Sequence, residues 1–410
     1  MSTDPERGNR SLPEKPNLRH LKSQAKDLLR SGRAASLTEA LFHLAREYGF
    51  ASWSKLKAHV ESLEEIGRLK SAIDANDAAC VQTMMTRNPS LHCAPLGYHA
   101  NGPLTYAAEW PRRVPPTAER LTILRWMLEH GSDVHQGGDG PLMRAALSDA
   151  KIPVMELLVE HGADVNALWA GDYPILVAAC ETLQPRSLEW LISHGADLHA
   201  VARRCLENLM ATAWRNPRGR GDCLEVLVRS GHSLPDTAPM AIHRGRIDLL
   251  EALVDRDPAL VRRRFRETEV FPPELSRVGF TVAPLAGATL LHIAVEYGEE
   301  KIAEWLINHG ADVNARAELD VDGYGGHTPL FHTTVTFSIE ADDSLARLLI
   351  RNGADPNLRA TFRWPCFTRM GDGSPREYRD ITAMGFATEF QDPHCVNEAA
   401  IHALREHGGK

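Results

Sequence analysis

One phrase of ten or eleven residues recurs along this chain of 410. It reads MLEHGSDVHQ at 127–136, LLVEHGADVNA at 157–167, WLISHGADLHA at 190–200, WLINHGADVNA at 305–315 and LLIRNGADPNL at 348–358. Its glycines are Gly131, Gly162, Gly195, Gly310 and Gly353, and a degenerate copy, VLVRSGHSLPD, adds Gly231. Successive spacings are 31, 33, 36, 79 and 43 residues, the long gap holding one more unit at 249–261 and then an insertion. Self-similarity at such a period implies stacked units, because a single unit of this size cannot bury its own apolar face.

A second phrase precedes most copies: GPLTYAAEW, GPLMRAALS, DYPILVAAC, ATLLHIAVEYG, GHTPLFHTTV and DITAMGFAT. Proline or its substitute opens a first helix, where a missing N–H costs nothing. Paired small residues such as Ala107–Ala108, Ala145–Ala146 and Ala178–Ala179 let neighbouring helices approach closely. The Leu-Leu pair buries a second helix, the glycine ends it in the left-handed region, and Asp and Asn shape the turn into the next loop. Together the two phrases resemble the ankyrin repeat. The resemblance implies an all-α solenoid of about nine helix-pair units with finger-like loops, and atypical units at 69–92 and at the C-terminal end read as caps.

Ahead of the array the pattern changes. Residues 1–16 read as a disordered tail and 17–64 as a helical capping module of three helices. Ser36 is the expected N-cap of the second helix, Glu39 completes a capping box and Gly49 is the stop. The run Arg46-Glu47-Tyr48-Gly49-Phe50-Ala51-Ser52-Trp53 resembles the leader found in many bacterial ankyrin-repeat proteins, which fixes no activity. The array then occupies 65–410, with insertions near 98–119, 201–223, 262–287, 318–327 and 359–380.

Composition narrows the function classes. A net charge of −8 argues against binding nucleic acid through bulk phosphate neutralisation. The leader resembles a DNA-reading helix-turn-helix only in outline. Residues 1–64 carry 11 basic against 8 acidic residues, and Trp53, Leu56 and Val60 read as a packing stripe. The sequence has no apolar run of membrane-spanning length and no secretory signal. Seven cysteines without a CxxC pair fit a reducing cytoplasm. No P-loop, GxSxG elbow or HExxH helix occurs, and no cofactor or metal is implied.

The repeat frame places about three side chains per unit on a concave groove. The expected binding set is Tyr106, Glu109, Trp110, Arg144, Glu181, Trp214, Arg215, His243, Arg244, Glu296, Tyr297 and His332. Trp, Tyr and Arg are the residues that most often anchor interfaces, so the expected partner is a protein or peptide, and the chain a scaffold or regulator. The competing expectation is a small-molecule enzyme with acid–base chemistry, its pocket roofed by the insertions. His99, Asp322 and His327 are its candidates, the last two as a base and its orienting carboxylate. Four arginines around Phe265, at 262–266, read either as an anion clamp or as a solvated run.

Overall fold

In the computed structural model the described residues are 10–13, 15–97, 101–169, 171–211, 217–271, 281–336, 342–364, 375–390 and 392–410. The chain divides into two compact units, Met1–Pro141 with Glu160–Gly162, and Leu142–Val159 with Ala163–Lys410.

The first unit opens with α1 (Leu18–Arg30), α2 (Leu37–Glu47) and α3 (Trp53–Asp74). The Ser36 side chain accepts from Glu39 N at 3.1 Å, while the Glu39 carboxylate reaches back to Ala35 N at 2.7 Å. The reciprocal cap therefore closes one residue earlier than the standard box, and α2 ends at Gly49 with φ 80°. Leu21, Ala25, Leu28, Leu44, Ala45, Leu56 and Val60 form one buried cluster, with Trp53 packed at its edge. The expected boundary at 64–65 falls inside α3. That 22-residue helix buries Leu56 and Val60 in the leader and Leu69, Ala72 and Ile73 further on. Two apolar patches on one uninterrupted helix remove any need for a linker. There follow α4 (Ala78–Arg87), α5 (Pro103–Glu109) and α6 (Ala118–Glu129), and the expected insertion 98–119 holds all of α5.

Both units share the residues of α7 (Gln136–Ala146) and α8 (Ile152–Glu160). Helices then follow in pairs. They are α9 (Ile175–Glu181), α10 (Pro185–Ser193), α11 (Leu198–Ala211), α12 (Pro217–Arg229), α13 (Ala238–His243) and α14 (Ile247–Arg256). After the small α15 (Glu267–Val270) come α16 (Leu290–Glu296), α17 (Glu300–Asn308), a 3-10 turn (Pro329–Thr333), α18 (Ser344–Arg351), α19 (Ala383–Glu389) and α20 (Glu398–Glu406). The recurring phrase explains the stacking. Asp312 Oδ1 accepts from Asn314 N at 2.9 Å and so sets the turn. Asn314 then spans to the next unit, donating to Gly353 O and accepting from Asp355 N at 2.9 and 2.8 Å. Asn166 does the same to Gly195 O and Asp197 N.

The all-α expectation needs one correction. Within the expected insertion 359–380, β3 (Ala360–Trp364) pairs antiparallel with β4 (Arg376–Ile381), and a smaller hairpin joins β1 (Leu168–Trp169) to β2 (Tyr173–Pro174). Alternation in β3 turns Ala360, Phe362 and Trp364 inward. Phe362 lies 5.8 Å from Phe331 and 5.1 Å from Phe386, ring to ring. The expected insertion 201–223 is also largely helical, lying in α11 and α12.

Candidate functional site

Of the expected groove residues in the second unit, Glu181 is exposed and Arg244 half-buried, whereas the row of His243, Glu296, Tyr297 and His332 is covered. His243, at the end of α13, donates from Nε2 to Val270 O at 3.0 Å. Glu296, the last residue of α16, accepts from Val282 N at 2.8 Å. His327 donates from Nε2 to Pro284 O at 2.8 Å. The Trp364 indole donates to Thr281 O at 2.9 Å. All four acceptors and donors on the other side belong to the expected insertion 262–287, whose Phe265, Val270, Phe271, Val282, Ala283 and Leu285 are buried. A buried backbone group must find a partner, and here the row supplies it to a strap of the same chain. The expectation that His243, Glu296, Tyr297 and His332 face an open groove is therefore corrected: all four are buried.

Under the strap, polar groups pair with one another. His332 Nδ1 lies 2.6 Å from Glu296 Oε2, with both side chains fully buried. His292 accepts from Thr289 N and passes its other nitrogen to His327 O at 3.1 Å. The rings of His292, His327 and His332 stand 5.3–5.7 Å apart. Burial, and then the neighbouring His332, push His327 down to about 3. Burial and the Arg220 charge do the same to His243, at about 3, and His292 is driven well below its ordinary value mainly by burial. Arg220 was not foreseen. Its guanidinium sits 4.2 Å above the Tyr297 ring and 3.4 Å from Glu299, whose carboxyl burial raises to about 7 despite that cation. Arg244 is tied by Glu225 at 2.6 Å, and Glu181 accepts from the Tyr173 hydroxyl at 2.9 Å. Arg144 is buried.

The first unit presents its candidates differently. Tyr106 is buried and donates to Asp74 at 2.5 Å, and Glu109 is buried and holds Arg112. Trp110 is half exposed, at 50%, and Val114 stands beside it in sequence at 51%. The loop that carries them is fixed from below by Arg120, again unforeseen. Its Nη1 donates to Ala107 O and Trp110 O at 3.1 and 2.6 Å, its Nη2 to Ile73 O at 2.6 Å, and its Nε to Asn76 at 2.7 Å. An arginine flanked by Thr117 at a helix start gave no signal that it would be buried.

The catalytic candidates do not form a pair. His327 is buried with its Nε2 on Pro284 O, whereas the exposed Asp322 carboxylate meets Arg363 at 2.9 Å. His99, Trp214 and Arg215 lie outside the described residues. The arginine run makes no anion clamp. Arg262 donates to Gly310 O at 3.2 Å, Arg264 to Arg316 O at 3.0 Å, and Arg263 and Arg266 both pair with Glu269. Among the described residues no cluster of His, Cys, Asp and Glu is placed to hold a metal, and no helix is long and apolar enough to cross a membrane.

Two segments, 137–169 and 286–318, match the ankyrin repeat family model. The chain contains ankyrin repeats. Two Arabidopsis thaliana proteins, the ADP-ribosylation factor GTPase-activating proteins AGD2 and AGD4, are each 35% identical to it over 74 residues, 18% of this chain. The match spans only 8% of the length of these relatives. Among solved structures, the human ASB11 ankyrin repeat domain aligns over 75% of this chain and 99% of its own, at 18% identity and a TM-score of 0.27.

Proposed function

We propose that this ankyrin-repeat protein is a scaffold or regulator that binds a protein or peptide partner. We place the binding surface at the Trp110 loop of the first unit, not along the row beneath the strap. One observation carries this reading. A half-exposed tryptophan is held on a loop whose backbone is fixed by a buried arginine. Exposing an indole in water is unfavourable, and a rigid loop loses little entropy when a partner covers it. Pro111, Arg112, Arg113, Val114 and Pro115 follow Trp110 in sequence, and all five are exposed. That mixture suits an interface anchor with a polar rim.

Affinity capture from a lysate of the source organism tests it, with the full chain as bait and Trp110→Ala beside it. The expected result is a stoichiometric protein whose retention falls about 30-fold in the variant, the loss of one anchor of about 2 kcal/mol. Equal retention by both baits would remove the loop from the interface.

A further inference from the structure

We infer that a cavity of about 350 Å³ in the second unit is a binding site for a small amphiphilic amine, an apolar ring body carrying one cationic nitrogen. The site does not involve the Trp110 loop and goes beyond the function proposed for it. Its apolar wall comes from four elements. Met240 belongs to α13, Leu253 to α14, Leu260 to the 3-10 turn Pro258–Val261, and Phe265, Val270 and Phe271 to the strap. Hydrogen bonds to the backbone hold the strap side of this wall in place. Phe265 N donates to Ala288 O, and Phe265 O accepts from Gly287 N, each at 2.8 Å. Val270 O accepts from His243, and the Glu269 carboxylate accepts from Arg266 N at 2.9 Å. Walls fixed in this way resist collapse, and unfilled space beside large apolar side chains destabilises a core. The volume lies at the low end of the range for small-molecule pockets, which are largely preformed and apolar with a few polar groups. Such a space fits one ring system and no folded partner.

The three charged residues of the lining select the charge of the ligand. Arg263 is spent: it pairs with Glu269, and its guanidinium lies 4.8 Å from the centre of the Phe265 ring. Glu269 is spent in turn on Arg263 and Arg266. Asp236 remains. It is exposed and, among the described residues, takes part in no hydrogen bond or ion pair. An anionic ligand would meet Asp236 with no unpaired cation on the wall to offset the repulsion. An uncharged ligand would leave the carboxylate unused. A cation on an apolar body suits both the wall and Asp236, and the chain's net charge of −8 favours its approach.

Isothermal titration calorimetry of the full-length chain tests this with tryptamine, skatole and indoleacetate, which share an indole and are cationic, neutral and anionic. Tryptamine should bind about fivefold more tightly than skatole, the upper end for an exposed ion pair, and indoleacetate most weakly. Asp236→Asn should bring tryptamine down to the affinity of skatole at an unchanged melting temperature, because the carboxylate has no partner in the fold. Leu260→Trp and, independently, Leu253→Phe should fill the space and weaken all three ligands at least about tenfold, read on variants that melt cooperatively. A blocked Trp-Lys dipeptide, which carries the same chemistry on a peptide, should bind less tightly than tryptamine. Undetectable tryptamine binding, equal binding of tryptamine and indoleacetate, an unaltered tryptamine affinity in Asp236→Asn or in a folded filling variant, or tighter binding of the dipeptide would each overturn the inference.

Discussion

Acidification is the perturbation that reaches the covered row most directly. His243 and His327 stand at about 3 in the folded chain, against 6.5 for an unperturbed histidine. Between those values the unfolded chain binds more protons, so stability falls as the pH drops through 6.5. Taking the chain from pH 7 to pH 5 costs about 2 kcal/mol for each of these two residues. Glu299 acts in the opposite sense. Its carboxyl stands at about 7 instead of 4.5, so the folded state binds the extra proton there and gains about 2 kcal/mol over the same interval. The sum is a loss of about 2 kcal/mol, and His292, also depressed, adds to it with the same sign. Urea unfolding followed by tryptophan fluorescence reads this out. With a slope of about 3 kcal/mol per molar, the midpoint should drop by at least about 0.7 M at pH 5. Glu299→Gln removes the compensating proton, so the drop should about double. A midpoint at pH 5 equal to or above that at pH 7, in the Glu299→Gln chain, would refute the assignment of buried neutral histidines to the row.

Two substitutions test the supports of the candidate surfaces. Arg120→Met removes four hydrogen bonds from a side chain that is 3% exposed. It should cost the first unit about 3–5 kcal/mol in denaturant melts and speed amide exchange at residues 107–117; an unchanged stability would mean that the loop is not held this way. Gly325→Ala would set a Cβ 2.2 Å from Glu318 O at a backbone φ of 141°. It should lower stability by about 1–3 kcal/mol, and a melting temperature equal to that of the unsubstituted chain would count against the finger geometry.

What the sequence made readable was local. The Gly-Ala-Asp-Val-Asn phrase encodes its own turn, because the Asp and Asn side chains bond within a few residues and then to the same phrase one unit on. Ser36 and Gly49 were readable for the same reason: a cap and a stop act on backbone groups next to them. The boundary at 64–65 was not readable, because α3 carries no break where one packing environment gives way to another.

The site was legible only as a set of inward-facing positions. The repeat frame says which side of a short helix a residue occupies, and His243, Glu296, Tyr297 and His332 do share that side. It cannot say what lies opposite. That depends on hydrogen bonds reaching 14 to 83 residues along the chain, from Glu296 to Val282 and from Trp364 to Thr281. Segments such as 262–287 have no sequence periodicity from which to read their path. Burial also reverses the meaning of residue type. An exposed histidine beside a glutamate suggests proton transfer or partner contact. The same pair at full burial, 2.6 Å apart, mainly satisfies its own polar atoms. Conversely Trp110, whose indole would ordinarily be buried, is the residue left at the surface. Where an insertion folds back over a repeat array, aromatic and ionisable residues in the frame are evidence for what the array already holds. A partner must then be sought at the residues that the insertion leaves exposed.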